Sequence, residues 1–334
     1  MSRFTTGHAS LGDEPLLVLV DADADRSLRI ARRGATVLGM EIPTRKGLRN
    51  IADGFRDTQE LSTQKGSRFA IMTPFANRVA DARYTFEGHA HDLLPGAQGA
   101  DRAIRHGFLR NAIFDVQREH ADDHSASITL TSQSIRPDAH PGYPFSLDIA
   151  VTFTLSDSGL TLEARTRNVG KQAAPTFFGW HPYFRLSDGP IDEWELTIPA
   201  DTLIATDADY IPLPGTRAWG SLDKADSAFD FRSPRAIGSL ELNHTYADLR
   251  LDADGRARTR LRDPRTGTEI AVWQQSGVML AFTADTVNRD PRRAVALEPM
   301  ECMADAFNRD DCRPLITLAP GEERRFLCGV EFIA

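Results

Sequence analysis

Hydrophobic and polar residues alternate along one stretch of the chain, and this is the clearest structural pattern in the sequence. Every odd position from 145 to 155 is apolar, and most residues between them are polar: Phe145, Leu147, Ile149, Val151, Phe153 and Leu155 against Ser146, Asp148, Thr152 and Thr154. A period of two predicts a β-strand with one buried and one hydrated face. Residues 156–159 supply turn-forming Ser, Asp and Gly, and the alternation resumes at Leu160 and Leu162. We therefore predict a β-hairpin here.

The same pattern recurs along much of the chain. It appears at residues 127–135, around Leu249 and Leu251 before the Asp254-Gly255 turn, and at 326–332. Residues 270–272 and 278–282 flank Ser276-Gly277, and we predict that they pair as a second hairpin. Helical periodicity is scarce, so the polar segment 50–67 is predicted to be a loop carrying a short helix.

Many short strands separated by Gly, Pro and Asp turns predict an all-β fold of the sandwich or barrel type. No internal repeat, low-complexity tract or linker-like stretch divides the sequence. Residues 1–334 are therefore predicted to form a single, unusually large domain.

Composition and charge narrow the classes of function. The 334 residues are 41% hydrophobic, which is enough for a large core. A net charge of −8 and a pI near 5.6 argue against a nucleic-acid or anionic-membrane partner, because both require clustered positive potential. An arginine-rich run is interleaved with aspartates and is interpreted as a hydrated strand face: Arg256, Arg258, Arg260, Arg262 and Arg265 with Asp252, Asp254 and Asp263.

Cysteine usage and the first residues bear on the compartment. The three cysteines, Cys302, Cys312 and Cys328, form no CxxC pair, which favours a reducing compartment without disulfides. The only early apolar run, residues 16–20, is too short for a signal peptide or a membrane-spanning helix. We expect a cytoplasmic protein that does not bind membranes.

Two residues are candidates for proton transfer. His181 lies among aromatic residues in Phe178-Gly179-Trp180-His181-Pro182-Tyr183-Phe184, and Glu298 follows an apolar strand and precedes Pro299. One imidazole and one carboxylate held on stiff strands suggest acid–base chemistry on a small polar ligand. Taken singly, a structural histidine and a strand-end salt bridge explain them equally well.

Three weaker motifs accompany this pair. An Asn77-Arg78 dipeptide at a strand entrance could form two hydrogen bonds to ligand hydroxyls, although pairing of Arg78 with a structural aspartate is an alternative. His106 precedes Gly107, where the backbone could bring the imidazole close to a ligand. His89 and His91 would share a strand face but lack further ligands at metal-binding spacing, so we predict no metal site.

Taken in order, Asn77-Arg78, His106-Gly107, His181-Pro182-Tyr183 and Leu297-Glu298-Pro299 resemble the motifs of the galactose mutarotase (aldose 1-epimerase) family. The resemblance implies that family's large β-sandwich, the galactose mutarotase-like supersandwich, with the site in a groove on one sheet. It further implies His181 as general acid and Glu298 as general base, with Arg78 and His106 holding the sugar.

The resemblance also places Trp273 and Phe282 beside the groove, where a sugar ring could stack. The reaction implied is interconversion of the α and β anomers of a free aldose, without metal or other cofactor, by a monomer or homodimer. It requires a protonated His181 and an ionised Glu298 near neutrality, so we expect Glu298 to be solvated or hydrogen-bonded rather than deeply buried.

The sequence departs from the family pattern at two positions. Asn243 stands in Leu242-Asn243-His244 where the family usually has an aspartate, and Glu301 stands where relatives more often carry Thr or Gln. Asn243 retains an acceptor oxygen but loses the charge. We favour a neutral aldose, because the overall charge is negative and no compact arginine cluster lies beside the motifs in the sequence. An anionic sugar, such as a sugar phosphate or sulfonated sugar, is the alternative.

Two other functions remain open. A glycoside hydrolase could use Glu298 with Glu301 or Asp305, but it needs two carboxylates about 5–10 Å apart across the scissile bond. A non-catalytic carbohydrate-binding protein could be built on the same sandwich, since fold does not fix function.

Overall fold

The computed structural model describes residues 2–333, and within them the chain is almost entirely β-structure. The strands are β1 Phe4–Leu11, β2 Glu14–Asp21, β3 Arg26–Ala31, β4 Thr36–Thr44, β5 Gly47–Asn50, β6 Ala70–Met72, β7 Arg78–Val79, β8 Arg83–Phe86, β9 His89–Asp92, β10 Ile104–Arg105, β11 Asp115–Ala121, β12 Ser125–Ile135, β13 Leu147–Ser156, β14 Gly159–Asn168, β15 Ala174–Pro175, β16 Gly179–His181, β17 Tyr183–Phe184, β18 Glu195–Thr197, β19 Ala200–Ile204, β20 Trp219–Ser221, β21 Arg235–Ala236, β22 Asn243–Leu249, β23 Ala257–Arg262, β24 Glu269–Gln274, β25 Val278–Phe282, β26 Val295–Met300, β27 Thr317–Leu318 and β28 Glu323–Ile333.

Helical segments are short. The α-helices are α1 Thr58–Thr63 and α2 Arg313–Ile316, and the 3-10 turns are Ala80–Ala82, Gly99–Arg102, Leu109–Asn111, Ile191–Glu193, Gly215–Ala218, Ser227–Phe229 and Ala306–Asn308. Asp57 caps the start of helix α1, because its carboxylate accepts from the Glu60 backbone N–H at 2.7 Å, and the Glu60 carboxylate accepts from the Arg56 backbone N–H at 2.9 Å. The prediction of a short helix within residues 50–67 is confirmed. No helix among residues 2–333 is long and apolar enough to span a membrane.

Three sheets account for most of the strands, and their neighbouring strands are antiparallel. The nine-stranded sheet has the order β11-β12-β13-β14-β28-β24-β23-β18-β21. The eight-stranded sheet has the order β20-β19-β22-β25-β26-β16-β6, with β17 also pairing with β26. Strands β1 to β5 form a five-stranded sheet in sequence order, and β2 of this sheet contacts β12 and β13. The all-β prediction is confirmed.

The hairpin at residues 145–164 is confirmed. Strands β13 and β14 pair with Ser156 opposite Gly159 and Leu147 opposite Asn168. The odd positions of β13 are buried and the even ones half-buried. These side chains join a hydrophobic cluster that takes in residues from all three large sheets, so the alternating pattern correctly identified the core face.

The predicted second hairpin is wrong. Strand β24 pairs with β23 and β28 in the nine-stranded sheet, whereas β25 pairs with β22 and β26 in the eight-stranded sheet. The Ser276-Gly277 turn therefore carries the chain from one sheet to the other. Nearly every residue of both strands is buried, so neither strand shows the alternation of a half-exposed strand.

The arginine-rich run forms strand β23 and its flanks, as predicted. Along β23 buried residues alternate with more exposed arginines. Arg258 forms ion pairs with Asp254 at 2.5 Å and Glu331 at 2.8 Å, and Arg262 pairs with Glu195 at 3.1 Å. These arginines are neutralised locally, as expected for a hydrated strand face.

Candidate active site

His181 lies near one edge of the eight-stranded sheet, on the last strand but one. Strand β16 runs between β6 and β26, with His181 opposite Ala70 and Gly179 opposite Met300. The imidazole stacks on the Tyr183 ring with a centroid distance of 4.9 Å and an angle of 9°. Both faces of the strand are buried, so the ring is held by packing on a rigid element.

Glu298 reaches the same point from the neighbouring strand. It lies on β26 opposite Leu280 of β25, and its carboxyl Oε1 is 3.3 Å from His181 Nε2. The two remaining polar atoms, Glu298 Oε2 and His181 Nδ1, are buried and have no hydrogen-bond partner among residues 2–333. Since buried polar atoms are normally hydrogen-bonded, two adjacent exceptions mark a place where a ligand could supply the missing bonds.

Burial sets the charge of this pair, and it corrects one expectation. Glu298 is only 1% exposed, and burial raises its pKa well above the usual range, although nearby Arg78 opposes the shift. Burial lowers the pKa of His181 to about 3, and the positive charges of Arg68 and Arg110 act in the same direction. The expectation of a solvated, ionised Glu298 beside a protonated His181 is therefore wrong for the free protein, in which the neutral pair is favoured.

The pair opens onto a cavity of about 650 Å³. Seven of the eight residues predicted for the site line it: Asn77, Arg78, His106, His181, Asn243, Phe282 and Glu298. They come from β7, β16, β22, β25 and β26 and the loops beside them. A cavity of this size, with polar groups converging on one end, suits a small polar ligand.

Arg78 contacts the cavity without a carboxylate partner. Its Nη1 donates to the neighbouring Asn77 Oδ1 at 2.7 Å, and its guanidinium lies 5.0 Å from the centre of the Tyr210 ring. The structural-aspartate alternative predicted an ion pair for Arg78, yet within residues 2–333 no carboxylate lies within 4.0 Å. Its hydrogen-bonding capacity is thus available to a ligand.

His106 owes its position to an unusual backbone. Both His106 and Gly107 have positive φ, at 62° and 61°, and a Cβ on Gly107 would lie 2.1 Å from the Thr73 carbonyl oxygen. Only glycine permits this close approach. The His106 ring then contacts His181 edge to face at 5.1 Å, and burial lowers its pKa well below the usual range. Its Nδ1 lies 2.9 Å from Met72 Sδ, so Nε2 is the ring nitrogen left to hydrogen-bond a ligand hydroxyl.

Trp273 does not line this cavity, and its predicted place there is corrected. It lies on β24 in the nine-stranded sheet, where its indole packs against Gly329, and Arg256 covers the ring at 4.0 Å. Phe282 is the aromatic residue of the predicted set that borders the cavity. The resemblance placed both residues beside the groove, but Trp273 and Phe282 lie in different sheets.

Several cavity residues were missed in the sequence. Arg105 and Arg110 flank the His106-Gly107 motif, and Lys65, Arg68 and Arg289 come from distant loops. Arg105 and Arg110 were visible beside a recognised motif, but nothing in the sequence showed that Lys65, Arg68 and Arg289 converge on the same cavity. The premise that no compact arginine cluster lies beside the motifs is therefore wrong.

The family model for aldose 1-epimerases matches residues 16–330. The chain belongs to the aldose 1-epimerase family. Among its relatives, the uncharacterized protein YihR of Escherichia coli K12 is 26% identical over 261 residues, covering 78% of this chain and 77% of YihR. The aldose 1-epimerase of the same organism is 26% identical over 329 residues, covering 90% of each.

A solved galactose mutarotase-like protein from Clostridium acetobutylicum has a TM-score of 0.83 at 13% identity, over 99% of each chain. At that identity the likeness concerns the fold alone, and it confirms the predicted galactose mutarotase-like architecture. As a member of the aldose 1-epimerase family the chain is an isomerase. This disfavours the hypotheses of a glycoside hydrolase and of a non-catalytic carbohydrate-binding protein.

The carboxylates considered for a glycosidase lie outside the cavity of this aldose 1-epimerase. Glu301 accepts a hydrogen bond from the Phe178 backbone N–H at 2.6 Å, and Asp305 accepts one from Ala80 N–H at 2.9 Å. Both have structural partners, so neither is placed across the cavity from Glu298. His89 and His91 lie on β9, and within residues 2–333 no cluster of three or more potential metal ligands occurs.

Proposed function

We propose that this enzyme interconverts the α and β anomers of an aldose by proton transfer among His181, Glu298 and the sugar. The observation that carries the proposal is the His181–Glu298 pair, 3.3 Å apart, whose other two polar atoms are unpartnered at the end of a cavity. Arg78, Asn77, His106 and Asn243 would hydrogen-bond the sugar hydroxyls, and Phe282 would pack against an apolar face of the ring.

Ring opening needs one proton acceptor and one proton donor. The anomeric hydroxyl gives its proton to the Glu298 carboxylate while the His181 imidazolium protonates the ring oxygen, and the bond between C1 and the ring oxygen breaks. The product is the open-chain aldehyde, with Glu298 protonated and His181 neutral. Rotation about the C1–C2 bond presents the other face of the aldehyde, and reclosure in the reverse sense gives the other anomer.

The neutral state of the free pair is compatible with this cycle because the proton count is unchanged. Glu298 and His181 share one proton, so transfer from Oε1 to Nε2 converts the neutral pair into the ion pair. Such coupled groups titrate as a unit rather than singly. Arg78 favours the carboxylate and thereby helps to form the ion pair when the sugar is bound.

The test is one-dimensional NMR of freshly dissolved α-aldoses, with wild type and the variants His181→Asn and Glu298→Gln. Each variant should slow anomer exchange by at least about a hundredfold, the range for a positioned acid or base. The exposed His124→Asn and Glu87→Gln remove the same groups away from the cavity and serve as matched controls. Near wild-type exchange in either site variant would remove that residue from the mechanism. Sugar binding without faster exchange in wild type would instead support a binding protein.

Further properties belong to the same proposal. The large hydrophobic cluster takes in side chains from all three large sheets, which supports a single domain. Cys302, Cys312 and Cys328 are buried as free thiols, which supports a cytoplasmic location. The acidic net charge supports the absence of a nucleic-acid partner, and we propose a monomer or homodimer that needs no metal or other cofactor.

A further inference from the structure

Several of the cations that line the cavity have no carboxylate partner. Arg68 pairs with Asp53, and Arg289 pairs with Asp53 at 2.9 Å and Glu60 at 2.6 Å. By contrast Lys65, Arg105 and Arg110 line the cavity and, like Arg78, have no carboxylate within 4.0 Å in the part of the chain that the structure describes. Three of these four unpaired cations, Arg78, Arg105 and Arg110, belong to the wall that carries His106.

Three of these cations lie close to one another. Arg105 of β10 is directly opposite Arg78 of β7, a placement in which like charges destabilise a sheet. Burial and the charge of Arg105 both lower the pKa of Arg78 and of Arg110. Arg110 has one side-chain hydrogen bond, to Ser67 Oγ at 2.8 Å. A partly buried cluster of like charge is costly unless an anion completes it.

The cavity carboxylates do not provide that anion. The Asp285 carboxylate pairs with Arg292 at 2.7 Å, Glu60 with Arg289, and Glu298 lies against His181. Glu241 is exposed and unpaired at the cavity. Asn243, on the strand opposite Phe282, contributes an uncharged amide at the position where the family usually has a carboxylate. Among the described residues that line the cavity, one unpaired carboxylate therefore accompanies four unpaired cations.

We propose that the substrate is an aldose bearing an anionic substituent of the phosphate or sulfate type, and that Arg105 and Arg110 bind this anion. The substituent lies away from the anomeric carbon, because the anomeric hydroxyl and ring oxygen must face Glu298 and His181. The inference rests on the proposed function and names the substrate class of the same site. An anionic aldose replaces the neutral aldose favoured from the sequence, because the premise that no compact arginine cluster lies beside the motifs was wrong.

Calorimetric titration tests the proposed binding of an anionic aldose without relying on turnover. Wild type is titrated with glucose, glucose 6-phosphate, glucose 6-sulfate and inorganic phosphate. At least one of the two anionic sugars should bind about tenfold or more tightly than glucose, because charge-assisted hydrogen bonds are that much stronger than neutral ones. The two sugars distinguish a phosphate from a sulfate-type substituent. The preference should shrink as ionic strength rises from about 0.01 M to about 0.15 M.

The variants Arg105→Gln and Arg110→Gln should each reduce the ratio of anionic to neutral sugar affinity by about tenfold. Arg118→Gln is the matched control, because Arg118 is exposed on β11, outside the cavity, and also lacks an ion pair. Arg105 is exposed, so its variant should fold. Equal binding of glucose and both anionic sugars in wild type, or equal ratios in wild type and both variants, would overturn the proposal. So would inorganic phosphate binding as tightly as the sugars.

Anomer exchange measured by NMR on the same sugars separates the two proposals. Anion preference in binding without exchange of any sugar would refute the epimerase mechanism and leave the anion site standing. Exchange of glucose with no preference for anionic sugars would refute the anion site alone.

Discussion

Replacement of Asp53 by asparagine tests whether the cavity wall is held by its buried ion pairs. Asp53 is 5% exposed, and its carboxylate pairs with Arg68, which is 4% exposed, with Arg289 and, at 3.7 Å, with Arg56. Arg68 lies over the Tyr183 ring at 4.8 Å, and that ring stacks on His181. The Asp53→Asn substitution removes the anion that these three cations share while preserving the side-chain volume.

Removal of one partner from a buried ion pair typically costs about 3–5 kcal/mol, because a buried charge is left uncompensated. We expect Asp53→Asn to lie in this range, since Arg68 has no other carboxylate within 4.0 Å among residues 2–333, whereas Arg289 keeps Glu60. The unneutralised Arg68 would also lower the pKa of His181 further and slow anomer exchange.

Urea denaturation followed by tryptophan fluorescence measures the loss of stability, with Asp188→Asn as control. Asp188 pairs with Arg49 at 3.0 Å, but its side chain is 83% exposed, so its removal should cost less than about 1 kcal/mol. A loss below about 1 kcal/mol in Asp53→Asn would refute the assignment of Asp53 as the anchor of the wall.

Four further results are expected. Burial lowers the pKa of His181 from 6.5 to about 3, so the stability that a neutral His181 contributes is present above pH 6.5 and is lost as the pH falls toward 3. Wild type should therefore lose stability relative to His181→Asn between these two pH values, as measured by urea titrations. The rate of anomer exchange should be constant over a broad neutral range and fall when the His181–Glu298 pair gains a second proton or loses its only one, which a pH profile by NMR would reveal. Asn243→Asp should tighten glucose binding by roughly 1–2 kcal/mol and weaken glucose 6-phosphate binding in calorimetry, and weakening of both would exclude a direct contact of Asn243 with the sugar. EDTA should leave exchange unchanged, and loss of activity restored by a divalent cation would contradict the metal-free mechanism.

Sequence alternation predicted strands well where one face is buried. Strands β12, β13, β14 and β28 were found from their period of two. Strands β24 and β25 were also predicted, but their pairing with each other was wrong, because both strands are buried on both sides and carry no signal that distinguishes their faces. Their assignment to separate sheets depends on partners distant in the sequence, which alternation does not encode.

Only the site residues that lie within recognisable motifs could be predicted from the sequence. His181 and Glu298 were found because each sits on a strand beside proline, and the structure brings them to 3.3 Å. Their burial was not predictable, because it depends on how β6, β16, β25 and β26 are covered. Arg110 and Lys65 were missed for a related reason, since their role in the cavity comes from convergence of loops and not from any local pattern.

The burial of Glu298 and His181 has a consequence for the reaction path. With a cyclic sugar bound, catalysis requires the ion pair, whereas with the open-chain aldehyde bound the pair is neutral. Burial favours the neutral pair, so it lowers the free energy of the open-chain complex relative to a cyclic complex that carries the ion pair. A cyclic complex that carries the neutral pair must first transfer the Glu298 proton to His181, and burial raises the free energy of that step. Arg78 offsets part of this cost, because its charge lowers the pKa of Glu298. Desolvation therefore assists ring opening once the ion pair has formed, and it opposes catalysis only in the step that forms the pair.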